Sequence, residues 1–379
     1  MLVKSRIVAP ASALTAIGAD IETGVAHLKT RLRLSHNRGP PHLRHAHSSR
    51  KFSLLGRYRS GKPLSHAGCW LCNPHDSIPF YWFDSMSADL LPECRICAGR
   101  TEEFGHKLGK VTNTVYRFCR CQSCHFIFVI NPCLDYEKLY DIEYYKGNGA
   151  DPLIDYFNEL EHPRTVVRQY EWRGISNVIE CLTGNLKNLT WLDWGCGNGG
   201  LVRYLRENNV AAVGFEEGGI VPLARAKGIV ILDPSELDGP TPKLFSIITM
   251  IEVIEHMPDP LSLLRRVRNH LKPGGILFMT TGNAALHQDR FTDWGYVSPD
   301  IHVSYFDPHN LALALSKTGF EPEFPGYMEG WNNIIRFKLL KNIGWRKTNL
   351  LERSIPWKLA SPWIDRKVGC SAHPIGRAV

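Results

Sequence analysis

The ten residues WLDWGCGNGG, at positions 191–200, constrain the fold more than any other stretch of this chain. The apolar run LTWLDW leads into them and GLVRYLRENN leads out at helical spacing, so a strand passes into a helix through a glycine-rich loop. Glycine adopts backbone conformations closed to other residues, and it lets a ligand approach bare main chain. Such a junction belongs to parallel α/β sheets, in which strands alternate with helices. The downstream sequence keeps that rhythm. AAVGFEE and GIVIL predict a second and a third strand, LFSIITMI a fourth, and ILFMTT a fifth after the turn KPGG. DPLSLLRRVRNHL and PHNLALALSKTG predict helices, and FEPEFPGY and NNIIRFKLL are expected to be the last two strands.

The glycines fit two nucleotide-binding fingerprints. Gly195, Gly197 and Gly200 spell G-x-G-x-x-G, in which the pyrophosphate of a dinucleotide rests on the helix N-terminus. Asp193, Gly195, Gly197 and Gly199 spell D-x-G-x-G-x-G, the pattern of S-adenosylmethionine (SAM) sites. An acidic residue two places before the first glycine has no part in gripping pyrophosphate, whereas Asp193 suits a ligand with an ammonium group. Glu216 ends the second strand and can accept both ribose hydroxyls, a role the two cofactor classes share. A nicotinamide-dependent oxidoreductase or epimerase would need a Tyr-x-x-x-Lys or comparable pair after the fourth strand. The similar run YEKLYDIEYYK lies upstream of the sheet. A third reading is a non-catalytic binding module, against which the intact loop and Glu216 speak.

The run MIEVIEHMPDPLSLLRRVRNHLKPGGILFMTTGN closely resembles the class I SAM-dependent methyltransferases. In that family the fourth strand leads into E-H-x-x-D-P, here Glu255, His256, Asp259 and Pro260. A helix, L-K-P-G-G (Leu271 to Gly275) and the fifth strand follow. The resemblance covers residues 155–340 and implies a seven-stranded, doubly wound, Rossmann-like sheet whose last strand runs antiparallel. It implies SAM as cofactor, with Asp193, Gly195, Gly197 and Gly199 at its methionine and ribose end and Glu216 on the ribose. Asp233 would contact adenine, and Met250 and Glu252 would follow the fourth strand where the family closes over the cofactor. Ser246 stands where the family often has aspartate, Trp194 is bulkier than the usual aliphatic residue, and Pro234 follows Asp233 where a small residue is usual.

Methyl transfer to a hydroxyl or amine profits from a general base. His256 follows the fourth strand, and His302 lies in WGYVSPDIHVSYF, where this fold builds its acceptor pocket. Both are catalytic candidates, with loop packing as the plainer alternative. Trp294, Tyr296 and Tyr305 could line a sugar-sized or aromatic acceptor.

The chain holds eleven cysteines, four of them spaced Cys94-x2-Cys97-x23-Cys121-x2-Cys124. Two such knuckles suit tetrahedral zinc, each giving two thiolates from a tight turn, and four thiolates leave no open position for catalysis. The alternative is a set of reduced buried thiols. Cys119 and Cys133 are nearby spares, and Cys69 and Cys72 form a competing pair. The unit resembles a four-cysteine zinc ribbon that precedes the methyltransferase domain in bacterial enzymes linked to sugar and surface-glycan modification. Their second knuckle also runs into an apolar strand and a proline, here CHFIFVINP, followed by a segment like EYYKGNG. That resemblance implies a sugar nucleotide, glycan or lipid-linked intermediate as acceptor. His125 replaces the usual glycine after the last cysteine. The EHMPDP…LKPGG…TTGN run also resembles quinone-biosynthesis O-methyltransferases, which lack the ribbon and so rank second.

The formal charge of +8 lies wholly in residues 1–88, where twelve Lys/Arg face four Asp/Glu. The remainder is balanced, so no phosphate-tracking surface and no nucleic-acid partner is expected. Residues 1–88 are too polar and turn-rich to predict a core. The favoured explanation is an extension before a start at Met86; a targeting peptide and a basic anion-binding arm are the alternatives. No apolar run is long enough to span a bilayer, and a cytoplasmic enzyme is expected. The expected organisation is a leader over 1–88, the ribbon over 89–135, a helical connection over 136–185, the methyltransferase domain over 186–340 and a basic, aromatic tail over 341–379. The tail carries Trp345, Trp357 and Trp363 among its basic residues. It is expected to pack over the sheet as a solvated tail, with peripheral contact to a membrane surface or lipid-linked substrate as the sharper alternative.

Overall fold

The computed structural model describes residues 91–379 apart from 240, 241 and 243. The leader expected over 1–88, with Met86, Cys69 and Cys72, lies outside the described residues. The cysteine-bearing segment forms three antiparallel strands, β1 (Thr101–Leu108), β2 (Val115–Cys121) and β3 (Ile127–Val129). Three short helices follow, α1 (Tyr136–Leu139), α2 (Ile142–Tyr145) and α3 (Tyr156–Glu161). Each opens on an aspartate (Asp135, Asp141 or Asp155) whose side chain accepts a backbone N–H three residues on. The longer α4 (Gln169–Thr183) then leads into the sheet.

The alternating segments follow in chain order: β4 (Thr190–Trp194), α5 (Gly200–Glu207), β5 (Ala211–Phe215), α6 (Val221–Ala226), β6 (Ile231–Leu232), α7 (Pro234–Leu237), β7 (Phe245–Ile251), α8 (Pro260–Asn269), β8 (Leu271–Thr280), β9 (Ser304–Tyr305), α9 (Pro308–Lys317) and β10 (Phe320–Glu323). Helices α8 and α9 start alike. Asp259 caps the N–H of Ser262 and Asp307 that of Asn310, and a proline occupies the first helical position of each. The last elements are α10 (Trp331–Asn342), α11 (Leu350–Arg353), α12 (Trp357–Val368) and β11 (Ile375–Ala378).

Seven strands form one sheet in the order β10-β11-β8-β7-β4-β5-β6. The run from β8 to β6 is parallel, and β11 is antiparallel to both its neighbours. This is the doubly wound α/β class expected. Successive residues of each strand point to opposite faces and so build two layers. Trp191 and Ile247 pack with Trp172, Ile175, Val202 and Ile334 on one face. Leu192, Ile248 and Met250 pack with Leu264, Val267 and Leu311 on the other.

The chain end differs from expectation. Residues 331–342 are helical, because Trp331, Ile334, Ile335 and Leu340 bury at helical spacing. The seventh strand is Ile375–Ala378, inside the segment expected to be a tail, so the sheet closes only with the last residues of the chain. Gly376 permits this: a Cβ there would meet the Phe320 ring at 2.8 Å and Leu315 at 2.9 Å. The cysteine unit is also less separate than expected. Its small sheet takes a fourth strand, β9, from the connection after β8, and Arg95 donates to the carbonyls of Val129 and Pro258. Among the described residues no helix is long and apolar enough to cross a membrane.

Candidate functional site

The glycine loop lies at the C-terminal ends of β4 and β5, the end of an open α/β sheet at which ligands bind. Gly195 and Gly197 have left-handed φ of 73° and 55°. Space is as restrictive as conformation: a Cβ on Gly195 would sit 2.6 Å from Val253, and one on Gly197 2.9 Å from the Tyr156 ring. Gly199 and Gly200 open α5. Glu216 closes the crevice. One of its oxygens accepts the Gly197 N–H at 2.9 Å, and the other accepts the N–H groups of Glu217 and Gly218 at 3.1 and 2.9 Å. Asp193 is buried beneath the loop and accepts from the Thr249 hydroxyl at 2.7 Å. Burial pushes its carboxyl up to about 7.

The segment before the sheet supplies residues that sequence reasoning missed. Arg168 is sandwiched between the Tyr156 and Phe337 rings, each 5.5 Å from its guanidinium carbon. It pairs with Glu171 at 3.2 Å and Glu159 at 3.5 Å. Its Nη1 is buried without a hydrogen-bond partner. Tyr144, Tyr145 and Tyr156 pack edge-to-face or stacked on one another, and Tyr145 reaches over Gly218 and Glu216. The only signals were the YY pair and a lone arginine before an apolar helix.

A second cluster of polar side chains is built after β7. Glu252 leaves the strand with a left-handed φ of 54°, a conformation a non-glycine residue holds only where neighbours enforce it. Here Thr280 donates to it at 3.0 Å and Lys338 of α10 at 2.6 Å. Burial pushes the Glu252 carboxyl up, but Lys338 and Lys341 outweigh it and hold the group well below the usual range. Burial and the Glu252 charge push Glu255 up to about 8. The Tyr296 hydroxyl stands 2.5 Å from Glu255 and 3.1 Å from Glu252. It has one proton, so it donates to the ionised Glu252 and accepts from the protonated Glu255.

His256 and His302 meet in the same place, their rings 4.9 Å apart. His256 Nδ1 faces the Ile301 carbonyl at 3.0 Å, and His302 Nδ1 faces the Tyr296 carbonyl at 2.7 Å. A carbonyl only accepts, so both Nδ1 atoms carry the proton and both Nε2 atoms keep a lone pair. Burial pulls His256 down to about 4 and His302 to about 3, so both are neutral at pH 7. Gly282 lets Trp294 and Tyr296 approach: their stacked rings, 4.8 Å apart, would lie within 2.6 Å of a Cβ there. Tyr305 packs edge-on to Phe118 and Phe291, within the core of the small sheet rather than beside the two histidines.

Two expected cofactor residues have other occupations. Asp233 is exposed and pairs with Arg225 at 2.8 Å, and its N–H bonds Glu236 of the short helix that Pro234 starts. Met250 is buried in the core between β7 and α8, on the same face of the sheet as Ile248.

The four cysteines converge as expected, all sulfurs within 4.8 Å of one another. Cys94 and Cys124 are 3.5 Å apart, and Cys97 and Cys121 3.4 Å. Backbone N–H groups of Ile96, Gly99 and Ser123 point at the sulfurs two residues before them. Ala98 and His125 follow the two knuckles with φ of 58° and 59°, so the two turns match in spite of the missing glycine. The donor set and its spacing fit a tetrahedral Zn2+, for which Zn–S bonds of about 2.3 Å apply. Cys119 and Cys133 stand outside the cluster.

A family model described as a methyltransferase domain matches residues 167–323. A ubiquinone biosynthesis O-methyltransferase of Bordetella pertussis is 30% identical over 166 residues, 38% of this chain and 67% of that protein. The ubiquinone biosynthesis O-methyltransferase of Pseudomonas paraeruginosa is 32% identical over 26% of this chain and 46% of its own length. The chain spans about half the length of several of the curated relatives it matches. A Burkholderia thailandensis 1,6-didemethyltoxoflavin-N1-methyltransferase, solved with S-adenosylhomocysteine, aligns at 22% identity over 40% of this chain and 68% of that chain, with a TM-score of 0.31. That likeness is too loose to add to the topology seen directly.

Proposed function

This chain belongs to the SAM-dependent methyltransferases, and from that premise we propose that it transfers the methyl group of SAM to a hydroxyl of a small-molecule acceptor. Bound at the glycine loop, SAM supplies an electrophilic methyl on a sulfonium. Asp193 would receive the ammonium group and Glu216 the ribose hydroxyls, while Arg168, whose buried Nη1 faces Glu159 at 3.5 Å but makes no hydrogen bond, would offer a charge to the carboxylate. Gly195, Gly197 and Gly199 leave room for the ligand against main chain. His256 would accept the single proton of the acceptor hydroxyl on its free lone pair, with His302 beside it as the alternative base, while the hydroxyl oxygen bonds the methyl carbon, the carbon–sulfur bond breaks and S-adenosylhomocysteine leaves. The Glu252–Tyr296–Glu255 chain fixes the wall beside the two histidines. Most of the rate enhancement then comes from alignment and exclusion of water rather than from bond chemistry by the protein.

The observation that carries this reading is the pair of carboxylates, Asp193 and Glu216, flanking a left-handed glycine loop at the sheet's C-terminal edge. Calorimetry on the full chain tests it. SAM and S-adenosylhomocysteine should both bind, and Glu216→Ala should abolish the heat. Stabilisation by NAD with none by SAM would overturn the reading.

On the acceptor, a phenolic hydroxyl of a quinone-type ring is favoured by the names of the curated relatives and by the wall of Trp294, Tyr296 and His302. A sugar nucleotide, glycan or lipid-linked sugar is the second reading, supported only by the cysteine cluster and the ribbon it resembles. In either case the cysteines hold a structural zinc that braces the loop after β7 through Arg95.

A further inference from the structure

The segment between α10 and β11 has a surface that the methyl-transfer reading does not use. Four of its apolar side chains face outward: Leu350 is 82% exposed, Leu351 73%, Leu359 81% and Trp363 41%. Helix α12 explains the arrangement. Trp357, Ser361 and Asp365, four residues apart, face the protein, so Leu359 and Trp363 occupy the opposite side. The charges are equally one-sided. Over residues 343–368 all six cations, Arg346, Lys347, Arg353, Lys358, Arg366 and Lys367, are exposed. Both acids of that stretch are buried and engaged, Glu352 with Arg336 and Tyr170, and Asp365 with Ser371. The outward face is therefore leucine, tryptophan and positive charge.

A cavity of about 430 Å3 opens beside this face. Arg173, Arg353 and Lys358 line it with Asn177 and Asn333, and Glu329 is the one acid on its wall. Ile355 and Leu359 join it to the apolar patch. Helix α10 carries Asn333 to this cavity and, one turn and a half further on, Lys338 to Glu252 at the candidate active site.

We propose that this face seats the chain on an anionic phospholipid surface, with Leu350, Leu351, Leu359 and Trp363 entering the interfacial layer and the cavity between Arg173, Arg353 and Lys358 receiving a lipid phosphate. Charge complementarity selects this occupant. Bilayers rich in anionic lipid attract clustered Lys/Arg, and long cationic side chains keep their heads at the phosphate level while apolar neighbours dip deeper. A protein partner is disfavoured because lysine is depleted at the cores of protein interfaces. A bilayer contact also presents the site to acceptors that reside in or on a membrane.

The test is co-sedimentation of the full chain with phosphatidylcholine vesicles, with and without about 30% phosphatidylglycerol. The assay needs neither cofactor nor turnover, so its outcome is separate from that of the methyl-transfer reading. The full chain should bind only the anionic vesicles and should release in about 0.5 M salt. Leu350→Glu with Leu359→Glu should weaken binding at least tenfold, and Arg353→Ala with Lys358→Ala several-fold, with unchanged circular dichroism. Millimolar inorganic phosphate should protect none of the leucine contribution. Absence of binding by folded protein overturns the proposal, as does binding that the four substitutions leave intact, which would belong to other parts of the chain. A lipid-free dimer that Leu350→Glu with Leu359→Glu dissociates would assign the face to a second copy of the chain instead.

Discussion

The phenol oxygen of Tyr140 lies 2.7 Å from Nδ1 of His256, across 116 positions of the chain. The same Nδ1 faces the Ile301 carbonyl. Three segments, one before the sheet, one after β7 and one after β8, thus meet at one nitrogen of one imidazole. One nitrogen of His256, one nitrogen of His302 and a carboxyl oxygen of Glu255 lie within 4.8 Å of one another.

The first prediction concerns that imidazole. His256→Ala should lower kcat by about 100- to 10,000-fold, the range over which a positioned base contributes. SAM affinity should stay within threefold or so, because the loop contacts are untouched. Tyr140→Phe removes only the hydrogen bond that orients the ring and should cost about tenfold. Equal loss of SAM binding in His256→Ala would show that the residue shapes the cofactor site and not the acceptor site.

Asp193 predicts a pH dependence. Its carboxyl is raised to about 7, so the native apoprotein keeps the proton from the unfolded value near 3.8 up to about 7 while the unfolded chain does not. Stability of the apoprotein therefore falls as pH rises through that window. Binding runs the other way. An ammonium group needs the ionised carboxylate, so affinity for SAM should rise by up to about tenfold per pH unit below 7 and level off above it. Calorimetry across pH 5.5–8.5 checks the slope, and Asp193→Asn should remove it. A flat profile in the unaltered protein would separate Asp193 from the ammonium group.

The cysteine cluster predicts one zinc per chain, measured by elemental mass spectrometry on protein purified without added metal. Its loss should be felt beyond the small sheet, because Arg95 joins it to the carbonyls of Val129 and Pro258. Cys121→Ser should lower the melting temperature by more than about 5 °C. Metal-free protein that melts with the zinc-loaded form would leave the four thiols as a buried, reduced cluster.

The legible parts of this protein are those in which neighbouring residues carry the signal. The glycine loop, the Asp-Pro starts of α8 and α9 and the two cysteine knuckles are each written in a few consecutive positions. Arg168, Tyr140 and Lys338 were not legible, because their partners are Glu171 and Glu159, His256, and Glu252, which only the fold brings to them. Asp233 opens the short helix that Pro234 starts and pairs with Arg225, an arrangement the acidic position alone did not announce. NNIIRFKLL fits both periods over nine residues, and only the burial of Trp331 with Ile334 and Ile335 decides for helix. IGRA is too short, and too poor in β-branched residues, to announce a strand on its own.

That last strand gives the final prediction. β11 is hydrogen-bonded on both sides, Gly376 opposite Leu277 of β8 and Phe320 of β10 opposite Ala378. Ile375 and Ala378 are buried, so these residues are interior sheet rather than tail. Deleting residues 375–379 would strip β8 of one of its two neighbours and detach β10, and the truncated chain should fail to accumulate as folded protein. A milder probe separates strand from tail. Gly376→Val puts a side chain against the Phe320 ring and Leu315, both under 3 Å from the new Cβ. Overpacking of this kind costs about 1–3 kcal/mol, or roughly 3–10 °C in melting temperature for a domain of this size. A solvated tail would absorb the same substitution with no shift, so an unchanged melting curve would remove β11 from the sheet.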